Sequence, residues 1–383
     1  MNKNKAVLGI VLVIAGIIFL FGRYNLSSYL PAWSPTDVFN KFDNELQAGQ
    51  YCTVRDEKGG LVTKISRQAN VGDEIFTADG CHYQITKVKG NQAWAGFNGP
   101  DKAFLGYSEF YAHLEAPVTA VAWGKQPIGV YHTHSDESYL PSDGASSIPF
   151  RGGIYQVGET MVKRLKERGV KINYDQTPHD PHDNNAYYRS RRTAAQLMKN
   201  NPIALFDVHR DGIPDPKFYG RNIAQKYVAQ VRFVIGRENP HYAANLDFAK
   251  RLMAYANKVY KPVVKDIYLS SGNFNQDLMP TAILIEAGTY TNVKTDAAQG
   301  ISMLAEAVPV ILGLTGPRTQ PGAPENLKPL TDPTARTPGS WKALAWIVGL
   351  TFLAGGAFLI ISAGGWDKAK NRLTNLVKRN KVK

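Results

Sequence analysis

A chain of 383 residues, 44% of them apolar and 20% charged, holds enough material for two or three globular domains. Its +13 net charge would suit a nucleic-acid partner, yet residues 1–23 carry +3 of it and residues 341–383 carry +7. Only +3 remains for residues 24–340, which removes the main support for nucleic-acid binding.

In chain order, Lys3 and Lys5 precede an uncharged run from Ala6 to Gly22. No small-residue cleavage site follows it, so residues 1–23 are expected to be an uncleaved N-terminal transmembrane anchor. Residues 24–117 read as a linker and a small β-rich domain. Gly59-Gly60, Asp79-Gly80 and Gly90-Asn91 supply turns between short alternating strands. The two cysteines, Cys52 and Cys81, fit either a disulfide or two free thiols. No catalytic constellation is visible here.

From residue 118 to 315 the pattern changes to alternating strands and helices. Ile128 to Tyr131 is an apolar strand that opens into His132, Thr133, His134, Ser135, Asp136 and Glu137. Strand alternation would put His132 and His134 on one face. Two imidazoles and a carboxylate within six residues are the donor types of a catalytic zinc site. Val157, Met161 and Leu165 follow at helical spacing, with Gly169 as a stop. The polar loop 177–186 carries His179 and His182, residues common in any solvated loop. Ile203 to Val208 is a second strand of mainly apolar residues, ending in His209, Arg210 and Asp211. Val231 to Ile235 is a third, and a helix is expected from Ala243 to Tyr260. Ala282 to Ile285 is a fourth strand and ends in Glu286, a carboxylate unlikely to be a solvated surface charge in that position. A helix from Asp296 to Leu312 closes the domain.

Residues 316–340 hold six prolines and form a linker. The uncharged run Ala343 to Trp366, with Trp341, Trp346 and Trp366 near its ends, makes 341–366 an expected second transmembrane helix. Residues 367–383 form a basic tail. By the positive-inside rule the expected location is the cell membrane, with both termini cytoplasmic and the catalytic domain extracytoplasmic.

The expected fold class is α/β: a mainly parallel sheet flanked by helices, preceded by the small β-rich unit and bounded by two transmembrane helices. In a parallel sheet the C-terminal strand ends share one edge, which would gather His132, His134, Glu137, His209 and Glu286 in one crevice. Zn2+ held there would acidify a water, and a neighbouring carboxylate would take its proton.

H-T-H-S-D-E-S-Y, then V-G-E-T-M-V-K-R-L-K-E-R-G-V, Y-Y-R-S-R-R-T, D-V-H-R-D-G, F-N-Q-D-L and L-I-E-A-G-T-Y-T-N together resemble the stage II sporulation protein P family over residues 118–313. The resemblance implies an amidase-like domain and a zinc-dependent N-acetylmuramoyl-L-alanine amidase acting on peptidoglycan. It also implies an association with cutting within the stem peptide, and a membrane complex with the stage II sporulation proteins D and M during engulfment. It places the H-T-H histidines, Glu137 and His209 among the metal ligands and Glu286 as the catalytic carboxylate. Which of His132 and His134 binds stays open, as does Glu137 against Glu159, with Glu137 favoured because it belongs to the tighter motif. Arg210 joins the catalytic group as a residue that orients ligands or substrate, with Asp211 beside it. Asn275, Gln276 and Asp277 are expected to contact the peptide. Two features depart from the family: the second span, and N-V-K-T-D where the family has N-T-x-E-E. Two other classes of function compete: an extracytoplasmic zinc peptidase acting on other peptides, and a non-catalytic wall-binding module, which would lack a ligand or the base.

Overall fold

The computed structural model describes residues 45–47, 49–113, 126–183 and 185–313 in one unit, and 360–363, 365–368 and 370–371 in another. The first unit opens with strands β1 (Cys52–Asp56), β2 (Leu61–Ile65), β3 (Glu74–Thr77), β4 (Cys81–Lys89) and β5 (Gln92–Pro100), then helix α1 (Lys102–Ala112). After β6 (Ile128–Tyr131) come α2 (Leu140–Asp143), α3 (Ile154–Glu167), β7 (Ile172–Tyr174), α4 (Ala186–Met198) and β8 (Ala204–Asp211). The small hairpin β9 (Gly220–Ile223) and β10 (Lys226–Ala229) precedes β11 (Val231–Gly236), α5 (Tyr242–Val259), β12 (Val264–Ser270), β13 (Ala282–Thr289) and α6 (Lys294–Ile311). Cys52 and Cys81 are both free thiols.

One sheet of 11 strands runs in the order β2-β1-β5-β4-β3-β12-β11-β13-β8-β6-β7. Five neighbouring pairs are antiparallel and five parallel, so the sheet is mixed and not mainly parallel. Nor do the early strands stand apart, because β3 pairs antiparallel with β12 and joins them to the large sheet. Two causes account for the difference. Tight turns at Asp79-Gly80 and Gly90-Asn91 can only join neighbours that run in opposite directions. The connection from β12 to β13 likewise has no crossover helix, so β13 returns antiparallel to β11.

The expected membrane architecture is also corrected. Among the described residues, no helix is long and apolar enough to cross a membrane, which conflicts with the two expected spans and the location drawn from them. Residues 1–23, and 341–359 of the expected second span, lie outside the described residues. In the remainder, Gly365 takes φ = 130° between the helical residues 360–363 and 366–368, a backbone turn no α-helix contains.

Strands β6, β8 and β13 are mutually parallel, so their C-terminal ends meet on one edge. Residue parity then decides which side chains share a face. Ile128, Val130, Phe206, Val208, Ile283 and Ile285 point into the larger core with α3, α5 and α6. Leu205 and Ala282 face the other way, packing with Tyr131, Ala194 and Leu197. On that second face, backbone register aligns His209 with Glu286, Glu286 with Arg232, and Arg232 with Asp266. This charged row crosses four adjacent strands, and Thr63 and Lys64 of β2 bond its Arg232–Asp266 end. The Arg232 guanidinium bonds Asp266 Oδ1 at 2.6 Å, Asp211 Oδ2 at 3.0 Å, Thr63 Oγ1 at 2.6 Å and the Lys64 carbonyl at 2.8 Å. A buried cation of this kind is held in place by its partners more than it adds to stability. Arg232→Met is expected to leave two buried carboxylates without their counter-charge and to cost about 3–5 kcal/mol. Urea unfolding of variant and parent measures it, and a loss below about 1 kcal/mol would contradict the pairing described.

Candidate metal centre

Beyond Tyr131 strand β6 stops, and the chain bends through residues 132–137. His132 is the last residue to keep the strand's parity and goes into the α3 side of the sheet. Its Nδ1 donates to the Val208 carbonyl at 2.7 Å and its Nε2 sits 2.8 Å from the Tyr174 hydroxyl. Gly158 of α3 packs so close that a Cβ there would stand 2.5 Å from His132 Nε2. Burial lowers its pKa to about 4, so the ring is a neutral, fully bonded core imidazole.

His134, after the bend, lies on the opposite side. Its Nδ1 is 3.3 Å from Glu137 Oε1, and His209 Nδ1 is 3.4 Å from the same oxygen. Strand β8 places His209 there, and strand register sets Glu286 beside it. All four residues are buried. The Glu137 carboxylate is held from behind: Oε2 accepts the Arg210 backbone N–H at 2.8 Å, leaving Oε1 toward the histidines. The Arg210 guanidinium reaches Glu137 Oε1 at 3.7 Å and donates to the Ser146 carbonyl at 3.0 Å, so Arg210 fixes this carboxylate. Glu159 is exposed and accepts from Gln176, away from the group.

His209 is braced too. Its Nε2 lies 2.9 Å from Asp207 Oδ1, and Asp207 accepts from the Thr133 backbone N–H at 2.8 Å and from the Thr133 hydroxyl. Both ring nitrogens are near carboxylates, yet neither has the alignment of a good hydrogen bond. Burial disfavours the imidazolium, but Asp207 and Glu137 together hold His209 well above the usual histidine range. Burial likewise opposes the Glu137 charge, while His209 and Arg210 keep it well below the usual carboxylate range.

Glu286 differs from its neighbours. Oε2 is buried without a hydrogen-bond partner, and Oε1 is 3.8 Å from Arg67 Nη2. Burial first, then the adjacent Asp211, push its carboxyl up to about 8.

Glu45, His134, Glu137 and His182 form a metal-capable group, with donor atoms all within 4.8 Å of one another. His182, from the loop given little weight in the sequence, spans Asp136 Oδ1 and Glu45 Oε2 at 3.0 Å each and stacks on His134 at 3.8 Å. Burial opposes its protonation, yet Glu45 and Asp136 lift its pKa to about 11. His209 falls outside that group but shares Glu137 Oε1 with His134. His182 is the weaker of the two as a ligand, because both its nitrogens are already bonded to carboxylates.

The three residues expected to touch substrate make contacts within the fold, and Asn275 and Asp277 also line a cleft with Tyr187 and Tyr188. Gln276 bonds the Gly236 amide and the Val234 carbonyl, at 2.9 and 2.8 Å. Asn275, at φ = 56°, bonds the Tyr187 carbonyl and Ser190 Oγ, and Asp277 pairs with Arg191. Sequence reading missed Asp207, Arg67 and Glu45. Asp207 carries a usable signal, since it stands two positions before His209 on one strand face; Arg67 and Glu45 carry none.

Residues 84–309 match the family model described as Stage II sporulation protein P (SpoIIP). The Stage II sporulation protein P of Bacillus subtilis (strain 168) is 26% identical over 187 residues, covering 44% of this chain. That match spans about half of the relative, 46% of its length. Two solved structures are similar at low scores: the N-acetylmuramyl-L-alanine amidase Ami1 of Mycobacterium smegmatis and the CwlD amidase of Clostridioides difficile in complex with the GerS lipoprotein. The first has TM-score 0.30 and 16% identity, covering 49% of this chain and 95% of Ami1. The second has TM-score 0.27 and 12% identity, covering 48% and 94%. Likenesses this loose carry no argument about the site.

Proposed function

The chain belongs to the stage II sporulation protein P family, and from that premise we propose that it is a zinc-dependent peptidoglycan hydrolase cutting the amide between N-acetylmuramic acid and L-alanine. The observation that carries the reading is the convergence of His134, Glu137 and His209 beside a buried carboxylate with one unbonded oxygen. Tetrahedral zinc with bonds near 2.0–2.1 Å sets its donors about 3.3–3.4 Å apart. The His134–Glu137 and His209–Glu137 separations of 3.3 and 3.4 Å match that spacing. Asp207 behind His209, and the Arg210 amide behind Glu137, supply the outer contacts that fix ligand orientation.

Zinc held by these three side chains supplies Lewis acidity and a water of lowered pKa. The protein's own part is proton handling and positioning. Glu286 takes the proton from the attacking water and passes it to the L-alanine nitrogen as the amide bond breaks. Its unbonded oxygen is suited to that task, because a carboxylate saturated with hydrogen bonds is a poor base. Arg210 keeps Glu137 from rotating.

The test is incubation of the protein with purified peptidoglycan, with and without a chelator, and identification of the fragments by mass. Chelator-sensitive release of stem peptides that begin at L-alanine is expected. Cleavage only within the stem, or none from metal-loaded protein, would overturn the assignment of the bond.

A further inference from the structure

We infer that Glu45 is a fourth donor to this metal centre, supplied from ahead of the first strand, and that it holds the centre closed until it is withdrawn. The inference rests on the metal reading above and adds a regulation of the same site. Glu45 Oε2 lies 3.4 Å from His134 Nδ1, the spacing already found between the other donors. A catalytic zinc has three protein donors and one position left for water, so a fourth protein donor has only that position to take.

The carboxylate is placed there deliberately. Its side chain is 13% exposed, and His182, itself fixed by Asp136 and stacked on His134, donates to it at 3.0 Å. By contrast, the backbone at Glu45 lies outside any strand. It is held by an isolated bridge to Arg67 and by the Leu46 N–H on the Ser66 carbonyl at 2.8 Å. A cleft of about 330 Å³ opens beside it, lined by Glu45, Asp136, Ser146, His182 and Arg210. Glu45 therefore lines that cleft while its carboxylate lies within reach of the buried donors. It also lies outside residues 84–309, the stretch matched by the family.

Withdrawal breaks the His182 contact among those that Glu45 makes and, at the backbone, the Arg67 bridge and the Leu46–Ser66 bond, while β6, β8 and β13 stay as they are. The closed form is thus a latent enzyme with an intact centre.

The experiment compares the full chain with its Glu45→Gln and Glu45→Ala variants, each loaded with Co2+ as the probe. Visible absorption, metal release to a chelator and peptidoglycan hydrolysis are recorded for all three. The variants are expected to show shifted cobalt bands, to release metal roughly 10-fold faster, and to hydrolyse peptidoglycan several-fold faster than the parent. Cobalt bands and rates identical to those of the parent would overturn the role of Glu45 and leave the proposed function standing. Loss of both metal and hydrolysis would make Glu45 a required ligand and overturn the latency. A parent chain that binds no cobalt would remove the metal reading and this inference with it.

Discussion

His209→Ala is expected to lose the metal and reduce peptidoglycan hydrolysis to background. The reasons are local. His209 is buried between Asp207 and Glu137. Its removal takes away one donor and leaves two carboxylates facing a space with less positive charge, where burying an unpaired charge is expensive. The variant should therefore also be less stable, by a few kcal/mol. His132→Ala provides the contrast, since that ring bonds the Val208 carbonyl and the Tyr174 hydroxyl and reaches no member of the metal group. It is expected to lose about 2–4 kcal/mol of stability, from the cavity and the broken hydrogen bonds, and to keep its metal. Metal content by elemental analysis and unfolding in urea separate the two variants. Normal metal content in His209→Ala, or loss of metal in a folded His132→Ala, would reverse the assignments.

The contrast also shows where sequence reasoning stops. His209 and Glu286 could be read because each ends a run of apolar residues, and such a run specifies a strand buried on both faces. A charged residue at its end has to meet a partner. His132 and His134 could not be separated in that way. The two-residue period holds only while the strand lasts, and β6 ends at Tyr131. His132 continues the strand's parity into the core, and the bend then carries His134 across to the other side. The mixed sheet was hidden for a related reason. Alternation shows that residues 52–100 form strands, but nothing in it says that β3 adds to β12. The backbone bonds of Asn275 and Gln276 were equally hidden, because amides suited to binding a peptide are also suited to bonding backbone. Glu45 and Arg67 reach the site from a part of the chain without motif or pattern, and only tertiary structure brings them there.

Glu286→Gln is expected to keep the fold and the metal while lowering the hydrolytic rate by about 10²–10⁴, the range for removal of a general acid–base group. Glutamine matches the shape of glutamate but neither takes up nor delivers the proton. In the metal-free protein the same substitution has a second effect with a definite sign. The Glu286 carboxyl is raised from 4.5 to about 8, so between those values the folded chain holds a proton that the unfolded chain has released. Stability of the parent therefore falls as pH rises through that window. Glutamine carries no such penalty. Chelator-treated Glu286→Gln should unfold at higher urea than chelator-treated parent at pH 8, by on the order of a few kcal/mol, with the gap closing near pH 4.5. A gap that widens toward acid would mean that Glu286 is ionised in the fold and paired. An unchanged hydrolytic rate would remove it from the chemistry. With both results as expected, the buried carboxyl is costly to ionise in the folded chain, and its retention there is accounted for by the proton it moves.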